Sequence, residues 1–378
     1  MDFNLSKEQE LLRDGLAKFL STRYDLEKSR SAAKTGAGWQ PEIWRSFADE
    51  LGILGATFGE DVGGIGGGAV ELMVITEALG HALVVEPYVD TVVVAGGLLQ
   101  RAGGERATAL LEQVVAGSAL VALAAGEADQ GDDWRNPATT AERDGDRWIL
   151  NGAKTMAMTA PLATHLLITA TTSAGLSLFL VDMTSAPEGL TMTGYRTVDD
   201  RRAADLVLDG VRLPADALLG DDGQAWPSLE RARDEGAAAV CSEAVGCMRK
   251  VLADTVEYCK QRQQFGVPIG SFQVLQHRMV DMHIDVEQAS AAVLLAVLHL
   301  EDDAAVRARS VSAAKATVGR AARFVGQQAV QLHGGMGMTE ELAIGHYFKR
   351  LTAMQFEFGS TDHHIGRYAA LSRVNGQT

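Results

Sequence analysis

The chain has 378 residues, 47% of them hydrophobic and 22% charged, a globular balance long enough for two or three packed units, which excludes a disordered, collagenous or coiled-coil protein. With 34 basic against 49 acidic residues the formal charge is -15, and so negative a field repels phosphate backbones and anionic lipid headgroups, arguing against nucleic acid and membrane surfaces as partners. Any anionic ligand has to be held by a local arrangement of Arg, Lys or backbone N–H groups.

Ser6 to Gln9 has the capping-box form, and Leu11, Leu12, Leu16, Phe19 and Leu20 recur at helical spacing, so the chain opens with an amphipathic helix and not with a basic, then apolar, signal peptide. Further helices are expected over Pro41 to Leu51, Val70 to Ala82 and Thr108 to Ala116. From Ala119 the texture changes to short apolar or alternating runs: Ala119 to Ala125, Arg147 to Leu150, His165 to Ala170, Ser177 to Val181 and Leu206 to Val211. Turns at Asp144-Gly145 and Asn151-Gly152, with no helix-length segment between the runs, predict an antiparallel sheet and no βαβ units. After Trp226 long Ala-, Leu- and Val-rich helical stretches follow: Ala237 to Arg262, Phe272 to Leu300, Ala304 to Leu332 and a last one near Glu340 to Gln355. The fold class is therefore α+β, with an N-terminal helical domain (1–118), a middle antiparallel β domain (119–225) and a C-terminal helical bundle (226–378).

Cys241, Cys247 and Cys259 fall on one expected helix, which separates the outer pair by roughly 27 Å and forbids a bridge between them. Small buried thiols fit a reducing cytoplasm. The most apolar run, Ala291 to Leu300, is about half of the ~20 residues that a membrane-spanning helix needs. Gly64-Ile-Gly66-Gly-Gly-Ala69 resembles a dinucleotide turn, but Gly59 to Gly63 separate it from the strand-like Ile53 to Phe58, and no further βα units follow, so a loop between helices is preferred. His277 with His283, and His363 with His364, lack a third donor at ligand spacing, so no metal site is expected. No GxSxG elbow, HExxH, P-loop or CxxC occurs.

Two segments of the last domain carry more specific chemistry. Arg262 to His277 joins a fixed cation, the aromatic Phe265, Pro268 and the paired Gln273 and Gln276 in a turn between helices. Gln331-Leu-His333-Gly334-Gly335-Met-Gly337 ends a helix on glycines, which expose backbone N–H groups. Together an Arg and a glycine turn suit a pyrophosphate and an adenine.

At these segments the chain resembles the acyl-CoA dehydrogenase family along its whole length, with Glu60 to Gly66 like a loop of the family's first domain and Asp205 to Pro214 like the last strand of its middle domain. The resemblance implies FAD, an acyl-CoA substrate and α,β-dehydrogenation, in which a Glu removes the α proton while the flavin accepts the β hydride. It also implies an electron-transferring flavoprotein as acceptor and flavin sites shared between subunits. Arg262, Phe265, Gln273, Gln331, Gly334 and Gly335 match residues that reach across to a neighbouring subunit's FAD. The own-subunit half departs from the pattern. Gly126-Glu127 stands where Thr-Glu is usual, Gln130 to Trp134 where Gly-Ser-Asp is usual, and Lys154-Thr-Met156-Ala-Met158 where Lys-x-Trp-Ile-Thr lines the flavin. The usual base position falls at Phe358, and the alternative one, used by some members, at Gly236. No catalytic residue is assigned; Glu357, Asp362, Asp234 and Glu235 are the substitutes to be tested. The run Gly345 to Leu351 followed by Phe358 to His364 is similar to the pimeloyl-CoA dehydrogenase small-subunit branch, with related chains in steroid-degrading heterotetramers. That implies a chain that completes the FAD site of a second, Glu-bearing subunit. The alternatives are a self-sufficient flavoenzyme with a displaced carboxylate base and a flavin-free structural homologue.

Overall fold

The computed structural model describes residues 4–185 and 187–374. It opens with helices α1 (Lys7–Arg23), α2 (Leu26–Thr35), α3 (Pro41–Asp49) and α4 (Ala69–His81), then a π-helical segment (Tyr88–Gly96) that runs into α5 (Gly97–Ala102), followed by α6 (Gly104–Val115). Strands β1 (Val121–Ala124), β2 (Thr140–Asp144), β3 (Arg147–Met158), β4 (His165–Thr171), β5 (Leu176–Asp182), β6 (Leu190–Arg196), β7 (Arg202–Pro214) and β8 (Leu218–Leu219) come next. The chain ends with α7 (Trp226–Gln261), the short strands β9 (Gln263–Gln264) and β10 (Val267–Pro268), α8 (Gln273–Leu298), α9 (Ala304–His333), α10 (Ile344–Ala353) and α11 (Thr361–Val374). No helix among the described residues is long and apolar enough to cross a membrane.

The described residues form two compact units. One draws on residues 4–26, 69–84 and 237–374, the other on 27–68, 85–185 and 187–236. In the first, the capping box of α1 is present: Ser6 Oγ accepts from Gln9 N–H while the Gln9 side chain accepts from Ser6 N–H. Helices α4 and α7 cross backbone to backbone. A Cβ at Gly80 would lie 2.0 Å from Glu243 O, and one at Gly246 would lie 1.9 Å from Glu77 O. That approach also seats Glu243 in the bundle interior at 3% exposure. Beside it, Ala237 and Ala238 of α7, Ala296 of α8, and Val311 and Ala314 of α9 form an apolar cluster with Leu300. Cys241, Cys247 and Cys259 of α7 are buried free thiols.

The second unit holds the eight-stranded sheet, in the order β6-β7-β3-β2-β4-β5-β8 with β1 on β4. Its core interleaves Trp148, Leu150, Ile168, Phe179, Val181, Leu206 and Val211, and the Trp148 and Phe179 rings meet edge to face at 5.3 Å. The sheet is mainly antiparallel as expected, but β1 pairs with β4 in parallel, Val121 opposite His165. The β2–β3 hairpin, and not a helix, carries the chain across that connection, which is how a parallel pair arises without a βαβ unit. Asp144-Gly145 does turn, with Asp144 paired to Arg147. Asn151-Gly152 does not: β3 continues through it, and the irregularity is a bulge between Leu150 and Gly152 where β3 pairs with β7. Ile53–Gly55 is a single 3-10 turn and no strand, so the glycine run after it lacks the strand that a dinucleotide fingerprint requires.

Candidate functional site

Helix α7 ends at Gln261, and Arg262 N–H still donates to Tyr258 O at 2.8 Å. The chain then folds back on itself as a hairpin, Gln264 opposite Val267 and Gln263 opposite Pro268. The two residues at its tip, Phe265 and Gly266, lie at φ +55° and +82°, the backbone of a two-residue turn whose hand matches strand twist. A phenylalanine in that region costs about 1–2 kcal/mol, yet Phe265 is 93% exposed and touches Phe272 only edge on at 6.2 Å. Gln273, the first residue of α8, is exposed as well.

The second segment lies at the end of α9. Gly334 caps that helix at φ +59°, its N–H donating to Gln331 O. Gly335 has no positive φ, and a Cβ on either glycine would meet nothing within 4 Å. Of the two glycines, only Gly334 adopts a positive φ. Openness, and not backbone conformation, distinguishes Gly335. The end of α7, four residues before Arg262, meets the end of α9 at Tyr258, whose ring stacks on His333 with centroids 4.3 Å apart and whose hydroxyl donates to His333 O at 3.3 Å. Arg262, Phe265, Gln273, Gln331, Gly334 and Gly335 are all solvent-exposed.

The loop between α10 and α11 holds Glu357, Phe358 and Gly359. Phe358 packs on the apolar cluster of Ala237, Ala238, Ala296 and Val311. The fully buried Lys315 donates to Met354 O at 3.0 Å, Gln355 O at 3.2 Å and Gly359 O at 2.9 Å. Arg350, 2% exposed, makes a two-pronged contact with Glu243, Nε to Oε1 and Nη2 to Oε2, each 2.9 Å. Its Nη1 and Nη2 also grip Glu357, the latter at 3.1 Å. The other three substitute carboxylates are placed differently. Glu235 is engaged by Arg101 at 3.0 Å and Arg231 at 2.8 Å, Asp234 is wholly buried, and Asp362 is exposed in the first turn of α11.

His364 completes the loop's support: its Nε2–H donates to Phe358 O at 3.0 Å while Nδ1 accepts from Ser312 Oγ at 3.2 Å. Burial, outweighing the Phe358 carbonyl and joined by repulsion from Lys315, His363 and Arg367, pushes the imidazole down to about 3. Because the folded value lies below the ordinary ~6.5, protons bind preferentially to the unfolded chain between these values, so this stabilisation is intact above ~6.5 and is lost as pH falls. Acidification from pH 6.5 to 5 should remove about 1.6 kcal/mol through this residue. Melting curves of His364→Gln and the parent across that window measure it, the variant showing the shallower loss.

In the sheet, Glu127 is fully engaged. Its carboxylate accepts from Lys154 Nζ at 2.6 Å, Thr139 Oγ1 at 2.7 Å, Thr139 N–H at 3.1 Å and Ala138 N–H at 2.6 Å. Lys154, buried on the strand's inner side, also reaches Thr169 at 3.0 Å, and burial lowers its ammonium to about 8 against the pull of Glu127. Burial pushes the Glu127 carboxyl up, but the bonds from Lys154 and Thr139 leave it below the usual carboxylate range. Met156, by contrast, is 62% exposed at φ +50°, its N–H held by Asp205.

Three family profiles match in order: the acyl-CoA dehydrogenase N-terminal domain over residues 6–118, the middle domain over 122–211 and the C-terminal domain over 223–371. Acyl-CoA dehydrogenase FadE12 of Mycobacterium tuberculosis is 31% identical over 359 residues, spanning 90% of this chain and 89% of the relative. Among solved structures, a variant of the Tcur3481-Tcur3483 steroid ACAD superposes with a TM-score of 0.89 at 28% identity, over 98% of this chain and 99% of that one. The ChsE4-ChsE5 complex from Mycobacterium tuberculosis gives 0.88 at 26%, over the whole of both chains. The chain belongs to the acyl-CoA dehydrogenase family, whose members are FAD-dependent oxidoreductases.

The residues present fit that cofactor at the hairpin and the glycine turn. An exposed guanidinium position, an exposed aromatic and an open glycine backbone are the donor, stacking and close-approach elements that a dinucleotide takes. Bound there, FAD supplies the acceptor for a substrate hydride.

Proposed function

We propose that this chain is the partner subunit of a heteromeric acyl-CoA dehydrogenase: it completes the FAD site of a second family member and leaves proton abstraction from the acyl-CoA to that subunit's Glu. The observation that carries this reading is the setting of Phe358, an aromatic ring seated in an alanine-lined cluster at the place where the resemblance puts a base. A hydrocarbon ring accepts no proton, and the neighbouring Glu357 is clamped by Arg350. The exposure of all six candidate cofactor residues supports the same division of labour, since a half-site meant for another subunit's flavin faces outward. Two structural neighbours, the steroid ACAD pair and the ChsE4-ChsE5 complex, are themselves two-component assemblies by name. Within such an assembly Arg262 pairs with the pyrophosphate, Phe265 and Gln273 border the nucleotide, and Gln331, Gly334 and Gly335 present backbone to it. Electrons then leave the flavin for an electron-transferring flavoprotein, as in the family. The domain division at 118 and 225 is supported by the family profiles, which match 6–118, 122–211 and 223–371.

Titration of FAD into the assembled complex tests it. Arg262→Ala removes a charge-assisted contact and should weaken retention roughly ten- to a hundredfold. Gly335→Ala is the sharper probe, because its new methyl meets no protein atom and its backbone needs no positive φ. The melting temperature should stay put while FAD affinity falls. Unchanged affinity in both variants would remove the assignment.

A further inference from the structure

The two segments of the half-site are far apart in the sequence, yet Tyr258, on the turn of α7 that leads into the first, reaches the end of the second with its side chain. Its backbone carbonyl accepts Arg262 N–H at 2.8 Å as the last turn of α7, so its side chain stands on the turn from which the hairpin leaves. Its ring lies on the His333 imidazole at 4.3 Å with an interplanar angle of 26°, and its hydroxyl reaches the His333 carbonyl at 3.3 Å. His333 is 5% exposed and in turn anchored to its own helix, Nδ1 to Ala329 O at 2.8 Å. Burial lowers this imidazole's affinity for a proton, so the ring stacks neutral, with the Nδ1 hydrogen on the Ala329 carbonyl. The next residue is Gly334, where the backbone turns to positive φ. One aromatic side chain therefore sets the end of α9 against the end of α7.

We propose that Tyr258, with His333, is a positioning residue that holds the Arg262–Gln273 hairpin and the Gln331–Gly335 turn as one preformed unit, so that the cofactor meets a half-site already assembled. The proposal rests on the partner-subunit reading for what the unit binds, but not for the coupling itself. Without such a tie, each segment would be ordered separately on binding, and the affinity would carry that cost. Aromatic pairs of this kind are worth enough to change an affinity roughly three- to tenfold.

Hydrogen exchange on the full chain tests the coupling, with Tyr258→Leu removing both ring and hydroxyl and Tyr258→Phe keeping the ring. Tyr258→Leu should accelerate exchange about tenfold or more in residues 262–273 and 331–339 together, leaving the middle of α8 and α9 protected, whereas Tyr258→Phe should stay within about threefold of the parent. Acceleration in only one segment, or in neither, would overturn the proposal. FAD titration of the assembled complex then reads the consequence: Tyr258→Leu should weaken binding roughly three- to tenfold and Tyr258→Phe should restore most of it. If both segments loosen while FAD affinity is unchanged, the residue is structural only and the positioning role falls, with the partner-subunit reading intact. If the parent complex takes up no FAD at all, the partner-subunit reading fails, and the exchange pattern decides the coupling by itself.

Discussion

Purified alone and supplied with FAD, the chain should turn over acyl-CoA at no more than background, whatever the acyl group. Removal of a proton α to a thioester needs a carboxylate within ~3 Å of that proton, and loss of a positioned base typically forfeits about 100- to 10,000-fold in rate. Phe358 has no such group, and Gly236 has no side chain. Glu357 has the chemistry but not the freedom: both of its oxygens face the Arg350 guanidinium, and both of those bonds would have to break to release it. By the resemblance the own-subunit flavin half is thinned too, with Met156 and Met158 where an aromatic and a hydroxyl are usual. Anaerobic mixing with a series of acyl-CoA thioesters, followed at the flavin absorbance band, measures this. Bleaching with any of them would contradict it.

Arg350→Met should be the most destabilising single change in the C-terminal bundle. The guanidinium is 2% exposed and balances Glu243, itself 4% exposed, and Glu357. Removing the guanidinium takes its bonds from the buried Glu243 and the half-buried Glu357, a class of change that costs about 3–5 kcal/mol. Replacing the whole set is different, because the desolvation of three charges disappears with their attraction. Arg350→Met combined with Glu243→Leu and Glu357→Gln should recover most of the loss. Glu357→Gln alone should be mild, since Arg350 keeps both bonds to Glu243. Urea midpoints of the four proteins, compared at equal m-value, give the answer.

The elements that the sequence announced are those whose packing follows a period. Helices α3, α4, α8 and α9 appear where apolar residues recur on one face, and the helix ends agree to within a few residues. Those it hid lack the signal. Helix α2, LEKSRSAAKT, offers only Ala33 as a buried apolar residue, and the Val-rich Tyr88–Gly96 looks like a strand although it winds as a π-helix. Strand β2 buries Ala141 alone, and β6 is half-exposed at the sheet edge. In the candidate site the hairpin and the glycine turn were legible as motifs. Their link was not, because Tyr258 and His333 are 75 residues apart. Likewise Glu357 stands as a lone acid in the sequence, and only the fold brings Arg350 to it, with Glu243 from 107 residues away. Lys315 sits in an alanine-rich helix with no sequence cue for the three carbonyls it gathers.

The measurement that bears most directly on the partner-subunit reading is flavin stoichiometry with turnover, taken on this chain alone, on its pair with a Glu-bearing family member, and on that pair carrying Glu357→Gln here. The reading predicts about one FAD for each pair of unlike chains, activity only in the pair, and little change on Glu357→Gln. A homo-oligomer of this chain with one FAD in every subunit, oxidising an acyl-CoA and silenced by Glu357→Gln at unchanged melting temperature, would contradict it and make Glu357 the base.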